Sequence, residues 1–204
     1  AWTPPAPPVA RRPEELANAL APLLRCATQV RFVDPYFDAG VEAFFTPMRA
    51  YLLTAQNRRS VGDLRIQIHF AVSRSDVEQL VRIRGLGLAA AAMDAVGLEM
   101  ATSRLEACER RIKPILRPGV GLRAFAWGEG PTGVRMHNRY VLTEVGGIAV
   151  QHGLDRGGIA AETDDLTILS KEQFEQRAAE HCAESALYRL IAERAFVGAA
   201  LSAG

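Results

Sequence analysis

The spacing of apolar and polar residues divides the first part of the chain into alternating helices and strands. Apolar side chains recur every three or four positions over residues 14–27 and 41–55, which predicts two amphipathic helices. The run QVRFV at 29–33 predicts a strand that ends at an Asp-Pro pair, since proline cannot continue a central ladder. Strict alternation in LRIQIHFAV at 64–72 predicts a second strand.

A long helical region and a group of strands are predicted for the rest of the chain. The helical region begins with a predicted capping box at Ser75 and Glu78, and Gly85, Gly87 and Gly97 within it predict a break or two helices. Strands are then predicted over 121–127, 134–143, 147–151 and 166–169, the middle two as a hairpin, before a closing helix from Lys171 to about Ala200. Strands separated by helices favour an α/β fold, with a mixed β-sheet flanked by helices on both faces.

The N-terminus differs in composition from the remainder. Residues 1–13 contain five prolines and predict an extended linker, or an arm that lies over the surface with Trp2 as its anchor. No internal repeat is found, and residues 14–204 are predicted to form a single domain.

Composition narrows the classes of function. Hydrophobic residues make up 49% of the chain and charged residues 23%, as is typical of a globular domain, and the net charge of +1 argues against a strongly basic protein. Three well-separated cysteines without a CxxC pair predict reduced, buried thiols and a cytoplasmic location. No apolar run predicts a transmembrane helix, and the proline-rich start is unlike a secretory signal.

No cofactor and no metal are predicted. Gly85-x-Gly87 lacks the third glycine of a dinucleotide-binding loop. No set of ligands surrounds His181 and Cys182, so His181 is predicted to be exposed on a helix. His69 alternates away from the apolar face of its strand and is predicted to lie at the surface or against a partner.

The net charge hides an uneven distribution. Residues 111–140 contain six bases and one acid, whereas residues 161–204 contain eight acids and four bases. A basic strand beside a histidine provides what a phosphate site needs. The alternative is that the basic and acidic regions pair with each other as solvated surfaces.

The stretch RMHNRYVLTEVGG places three chemically suited side chains in one predicted hairpin. His137 and Arg139 lie two apart in the predicted strand and therefore share one face of it. A neutral histidine can attack phosphorus and carry the phosphoryl group, while a cation neutralises the non-bridging oxygens. A carboxylate can orient the imidazole, and Glu144 at the hairpin tip is the candidate for that role. The alternative is an ordinary exposed strand and turn.

These residues resemble the active-site motif of the phospholipase D superfamily, His-x-Lys-x4-Asp. His137 and Glu144 fall in the register of the motif's histidine and aspartate, and Arg139 takes the place of its lysine. Two of the three positions are therefore changed, and QHGLD at 151–155 differs from the family's downstream Gly-Ser-x-Asn segment. The resemblance implies catalytic roles for His137, Arg139 and Glu144, with Asn138 between them as a ligand-binding residue.

The chain is similar, more closely, to the phospholipase D-like domain at the C-terminus of MIT-domain proteins. That family has His-x-Arg in the motif, Gly-Leu-Asp at the end of the next strand and Asp-Pro-Tyr closing its first strand, which match residues 137–139, 153–155 and 34–36. The resemblance covers most of residues 28–157, and no MIT domain is visible. It implies a phospholipase D-like fold and, in the eukaryotic members, a membrane- or phosphoinositide-binding module regarded as non-catalytic.

Position along the chain indicates further ligand-binding candidates. Asp34 and Tyr36 follow a strand end, where α/β folds place ligands. Asp155 ends the Gly-Leu-Asp segment, and His152 lies on the predicted partner strand, where it can face His137. The alternatives are a turn-forming Asp-Pro pair and, for Asp155, a loop cap or an ion pair.

Three functions are compatible with these observations. The first is a metal-independent phosphodiesterase, such as a nuclease, with a covalent intermediate on His137. The resemblance to simple phospholipase D-like nucleases implies that it acts as a homodimer, because each chain carries one histidine motif and two are needed. The second is an inactive phospholipase D-like module that binds nucleic acid or acidic lipid, including an acidic membrane surface. The third is a protein-interaction or oligomerisation domain. The altered lysine and aspartate positions count against the first and the retained histidine against the third, so we expect a domain that recognises phosphodiesters.

Overall fold

Five helices and nine strands make up the computed structural model, which describes residues 8–58, 63–159, 161–182, 185 and 187–199. The helices are α1 (Pro13–Cys26), α2 (Glu42–Gln56), α3 (Arg74–Ile83), α4 (Ala90–Ile112) and α5 (Lys171–Glu180), and a short 3-10 turn (Lys113–Ile115) follows α4. The strands are β1 (Val9–Ala10), β2 (Gln29–Val33), β3 (Arg65–Ala71), β4 (Gly121–Gly128), β5 (Tyr140–Thr143), β6 (Gly146–Val150), β7 (Thr163–Asp164), β8 (Leu166–Ile168) and β9 (Arg189–Val197).

The central sheet is mixed, as the sequence predicts. Its seven strands run in the order β8-β6-β5-β2-β3-β4-β9. The pairs β2–β3 and β3–β4 are parallel, and the other pairs are antiparallel. The carboxyl ends of β2, β3 and β4 therefore meet at one edge of the sheet, together with the start of β5 and the end of β6. We call this edge the carboxyl edge.

Helices pack on both faces of the sheet, but unequally. Alternate side chains of the strands, such as Phe32, Ile68 and Ala124, form one apolar core with α1, α2, α3 and α4. On the second face, Phe125 and Trp127 form a smaller cluster against which Phe174 of α5 packs. The second face is buried towards the carboxyl edge and exposed near the starts of β3 and β4, at Arg65 and Arg123.

The break in the predicted long helix is confirmed, but its cap is not the predicted one. Gly85 adopts φ +67 between α3 and α4, a conformation that glycine tolerates and that ends α3. The N-cap of α3 is Ser73, whose hydroxyl accepts a hydrogen bond from the Asp76 N–H at 3.1 Å. The predicted capping box at Ser75 and Glu78 is therefore wrong by two residues.

The predicted closing helix is wrong beyond α5. Residues 189–197 instead form β9, which pairs antiparallel with β4 along its whole length. Leu187, Leu190 and Ile191 have helical spacing, which misled the prediction. Without β9, the strand β4, which is buried apart from its start at Gly121 and Arg123, would be a long apolar edge, so pairing outweighs local propensity here.

The predicted strand 134–143 is also too long, since β5 begins only at Tyr140. Tyr140 pairs with Val33, the last residue of β2, and with Ala149 near the end of β6. The chain of β2 then turns at Pro35, so no ladder partner is left for a longer β5. His137 and Arg139 consequently lie in an irregular segment and do not share a strand face.

The described part of the N-terminal arm lies on the domain. β1 pairs with β7, and Arg11 forms an ion pair with Asp155 at 2.6 Å. Trp2 lies outside the described residues. Among the helices that the structure describes, none is long and apolar enough to cross a membrane.

Candidate phosphate-binding site

Three irregular segments meet at the carboxyl edge. They are residues 34–41 after β2, 129–139 before β5 and 151–158 after β6. They are brought together because β5 pairs antiparallel with both β2 and β6, so that the end of β2, the start of β5 and the end of β6 are adjacent. The two motif regions that lie far apart in the sequence are therefore neighbours in the fold.

Asp34 joins two of these segments. Its buried carboxylate accepts hydrogen bonds from the backbone N–H of Leu154 at 2.8 Å and of Tyr36 at 3.0 Å. Burial raises the pKa of Asp34, while these two hydrogen bonds and the charge of Arg139 act against that rise. The Asp-Pro-Tyr and Gly-Leu-Asp motifs are thus held in direct contact.

Gly153 allows that contact to be close. Its φ of +117 disfavours other residue types. A Cβ atom built there would lie 2.8 Å from Asp155 Oδ1, 3.3 Å from Asp34 Oδ2 and 3.8 Å from Arg139 Nε. The glycine therefore lets the two carboxylates and the guanidinium converge.

Arg139 supplies the positive charge of the site. Its guanidinium lies over the ring of Tyr36, 5.0 Å from the centroid, and the Tyr36 side chain is 58% exposed. Its Nε is buried and donates no hydrogen bond to the part of the chain that the structure describes. A buried donor without a partner is costly, and a phosphate oxygen would satisfy it.

The other bases of the predicted basic region are already engaged. Each of the five has a partner: Arg111 with Glu42, Lys113 with Glu109, Arg117 with the Gln56 carbonyl, Arg123 with Glu193, and Arg135 with Glu129. The alternative, in which the basic region pairs with the acidic residues of 161–204, holds for Arg123 alone among these five, because the partners of the other four lie outside 161–204. Arg139 differs from these five in that its side chain makes no hydrogen bond or ion pair with the described residues, although its charge interacts with those of Asp34 and Asp155.

A pocket of about 390 Å³ adjoins Arg139 on the second face of the sheet. Six of the residues that line it carry charged or carboxamide side chains. They are the arginines Arg139 and Arg177, the carboxamides Asn138, Gln151 and Gln173, and the carboxylate Asp165. Arg177 is held by two 2.7 Å hydrogen bonds to Glu180. The donors outnumber the acidic groups, which suits an anionic ligand.

His137 is exposed and does not line this pocket, but it directly precedes two residues that do, Asn138 and Arg139. Its neighbours Met136 and Tyr140 are buried and fix the segment on either side of residues 137–139. The imidazole makes no hydrogen bond within the described ranges. His137 is therefore accessible to a ligand, although nothing in the described chain orients it.

Glu144 does not orient His137. It lies at the other end of β5, where its carboxylate accepts hydrogen bonds from the N–H of Thr28 and, at 2.9 Å, from the N–H of Gln29. Burial acts to raise the pKa of Glu144, but these hydrogen bonds prevail and lower it. Glu144 has the spacing from His137 that the motif requires, but it does not lie in the site, because β5 separates the two residues.

His152 and Asp155 lie at the carboxyl edge with partners of their own. The backbone N–H of His152 and its Nδ1 approach Asp164, the latter at 3.4 Å. His152 follows the end of β6, so it does not face His137 across the hairpin. Asp155 is the ion-pair partner of Arg11, which supports the ion-pair alternative for this residue.

The sequence analysis missed three residues of the site region. Arg11 lies 144 positions from Asp155, and no spacing rule connects them. Asp164 holds the backbone of Gln151 and His152, and Arg177 lines the pocket. A role for Arg177 was not predicted because residues 161–204 are acidic overall. Arg177 reaches the pocket because α5 packs on this face of the sheet.

Two histidines predicted to be exposed are instead buried on the second face. His69 and His181 have ring centroids 5.9 Å apart, and His181 stacks on Tyr188 at 5.5 Å. Burial lowers the pKa of His69 well below its ordinary value and that of His181 to about 4. The strand alternation was right for His69, but the second face is partly covered rather than solvated.

Within the described chain, no group of three or more His, Cys, Asp or Glu side chains is arranged to hold a metal ion. No protein-family model matches this sequence, and no curated protein matches it either.

Proposed function

We propose that this protein is a phospholipase D-like domain that recognises phosphodiester ligands through the carboxyl edge of its sheet. The observation that carries the proposal is Arg139, a partly buried cation whose Nε has no hydrogen-bond partner among the described residues. Its guanidinium is positioned by Tyr36 and by the convergence of Asp34 and Asp155 at Gly153. An arginine fixed in this way can bind two oxygens of one phosphate.

Nucleic acid is the first candidate ligand, and acidic lipid is the alternative. The exposed ring of Tyr36 beside Arg139 provides a surface on which an unpaired base can stack while its phosphate binds the guanidinium. The resemblance to a lipid-binding family supports the alternative. A homodimer and a cytoplasmic location stay predictions.

Metal-independent hydrolysis is the second candidate function, and the exposure of His137 favours it. The neutral imidazole would attack phosphorus, forming an N–P bond as the P–O bond to the leaving alcohol breaks. His137 of a second copy would give its proton to the leaving oxygen, and water would then release the phosphate. The position of Glu144 counts against efficient catalysis, because no carboxylate holds the imidazole.

Binding is tested with a fluorescent single-stranded oligonucleotide and anisotropy. We expect the affinity to fall steeply between about 50 and about 200 mM salt. Arg139→Gln is expected to weaken binding about tenfold, whereas Arg49→Gln, at an exposed position on α2, leaves it unchanged. Equal affinities for the two variants, or binding that ignores salt, would overturn the proposal for nucleic acid. Vesicles containing an anionic lipid, measured with the same variants, test the alternative.

Hydrolysis is tested on bis-nitrophenyl phosphate in the presence of EDTA. If His137 is the nucleophile, His137→Ala abolishes nitrophenol release while oligonucleotide binding falls only slightly. A wild-type rate equal to that of the variant would exclude the catalytic candidate and leave the binding function.

A further inference from the structure

A second cavity lies on the second face of the sheet, at the end opposite the carboxyl edge. Its volume is about 610 Å³, which falls in the range of small-molecule sites. We call it the amino-edge groove. Its floor is formed by the starts of β2, β3 and β4 and the ends of the neighbouring strands β5 and β9, and α5 lies along one side of it. The two ends of β2 are four residues apart, which is about 13 Å along the strand. The groove lies at the start of β2 and the site at Asp34 lies just beyond its end, so the two are separated by that distance.

The strand register places cationic and amide side chains side by side on this floor. Arg31 pairs with Gln67, and Gln67 with Arg123, across three adjacent strands. In the preceding row, Arg65 lies beside Gln29. Residues two apart on a strand share a face, so all five side chains belong to the second face and line the groove.

A buried polar network fixes Arg31 in place. The Trp127 Nε1–H can only donate, so His69 Nδ1, 3.1 Å away, must accept its hydrogen bond. The proton of neutral His69 is therefore on Nε2, which donates to Gln67 Oε1 at 3.3 Å. The same Gln67 oxygen accepts from Arg31 Nε at 2.8 Å, and Arg31 also donates to the Ala178 carbonyl at 2.7 Å. The guanidinium is thus positioned before any ligand arrives.

The groove is left with uncompensated positive charge. Burial lowers the pKa of Arg31, and no carboxylate forms an ion pair with it in the described chain. Arg65 is exposed, and its side chain donates no hydrogen bond to any described residue. Glu144 at the rim is negatively charged, but its carboxylate is hydrogen-bonded to the backbone of Thr28 and Gln29 and forms no ion pair with Arg31 or Arg65 in the described chain, so the lining keeps a net positive charge. An anion bound between Arg31 and Arg65 would compensate both cations.

The walls of the groove are apolar. Leu142 and Phe174 line the side towards α5, and Val197 lines the side towards β9. We propose that the amino-edge groove binds an amphiphilic anion: a carboxylate, sulfonate or phosphate monoester attached to an aromatic or aliphatic body. The charged end contacts Arg31 and Arg65, and the body packs on the apolar walls. This site is independent of the phosphodiester site.

The test uses anilinonaphthalene sulfonate, whose fluorescence rises on binding, and its uncharged analogue phenylnaphthylamine. We expect the sulfonate to bind saturably and Arg65→Gln to weaken its binding about tenfold. The affinity of the uncharged phenylnaphthylamine should be the same for the wild type and for Arg65→Gln. Arg49→Gln and Arg139→Gln should leave sulfonate binding unchanged, and Arg65→Gln should leave oligonucleotide affinity unchanged, which separates the two sites.

A second variant fills the groove without relying on charge. Ala195 is exposed on β9 and lines the groove, so Ala195→Trp should fold normally and abolish sulfonate binding. Competition by decanoate or by naphthyl phosphate then distinguishes a fatty carboxylate from an aryl phosphate ligand. Sulfonate binding unaffected by Arg65→Gln and Ala195→Trp would overturn the proposal. A change of oligomeric state in Ala195→Trp, with unchanged sulfonate affinity, would also overturn it and identify the groove as an interface between copies.

Discussion

A Cβ atom at Gly153 would lie too close to two carboxylate oxygens, 2.8 Å from that of Asp155 and 3.3 Å from that of Asp34. We expect Gly153→Ala to lower the free energy of unfolding by about 2 kcal/mol, because the alanine is strained at φ +117 and displaces Asp155 and Asp34. Urea denaturation measures the change. Gly87→Ala is the matched control, since its Cβ would meet no atom within 4 Å, and it should change the free energy by less than about 0.5 kcal/mol. Equal midpoints for the two variants would contradict the tight convergence at Gly153.

The buried histidines predict a specific dependence of stability on pH. His181 has a pKa of about 4 in the folded protein and an ordinary value of 6.5 when unfolded, so the unfolded state binds the proton more readily. The stability from the neutral form is therefore complete above pH 6.5 and is lost as the pH falls towards 4, by about 3 kcal/mol for His181 alone. Urea denaturation at several pH values should show a flatter dependence for His181→Phe. The exposed His137→Gln serves as the control, and identical slopes for the wild type and His181→Phe would show that His181 is not buried as a neutral group.

At the scale of single residues, the sequence predicted several residues that lie in the site region, but it did not predict which residues they contact. Asp34, Arg139 and Asp155 were identified because each belongs to a short pattern with a chemical meaning. Arg11 reaches Asp155 only because β1 pairs with β7. Such contacts depend on strand pairing across the chain, which the spacing of residues does not encode.

Among the elements, the strand β9 and the hairpin β5–β6 mark the limits of pattern analysis. Helix α1 and strand β2 have nearly the predicted bounds, since each has a clear period and a proline or polar residue at its ends. The region of β9 has apolar residues at helical spacing, and only its pairing with β4 makes it a strand. The length of β5 was overestimated because it is set by the end of β2, a neighbour that lies far away in sequence.

The position of Glu144 leads to a prediction that distinguishes an anchor of the hairpin from a catalytic residue. Because its carboxylate satisfies the N–H groups of Thr28 and Gln29, Glu144→Gln should lower the free energy of unfolding by about 1 kcal/mol. Oligonucleotide affinity and any phosphodiesterase activity should stay at wild-type levels. Thermal unfolding and anisotropy provide both measurements. Loss of activity with unchanged stability would instead restore Glu144 to a role beside His137.

For the molecule as a whole, the mixed sheet explains why one edge collects the candidate residues. The sequence predicted a mixed sheet with helices on both faces, and four helices do pack on one face and α5 on the other. Strand order was not predictable, although it is the order β5-β2-β3 that brings Arg139 next to Asp34. The amino-edge groove lies where the second face is exposed, near the starts of β3 and β4.

The central claim is that Arg139 binds the phosphate of a diester, and its buried Nε–H is the most direct reporter. In a heteronuclear NMR spectrum of isotope-labelled protein, the Arg139 Nε–H signal is the one that Arg139→Gln removes. The account predicts that dimethyl phosphate shifts this signal saturably while the Nε–H signal of Arg84, which is paired with Glu99 and lines neither cavity, stays in place. An Arg139 signal that does not move at saturating dimethyl phosphate, or that moves no more than that of Arg84, would contradict the claim.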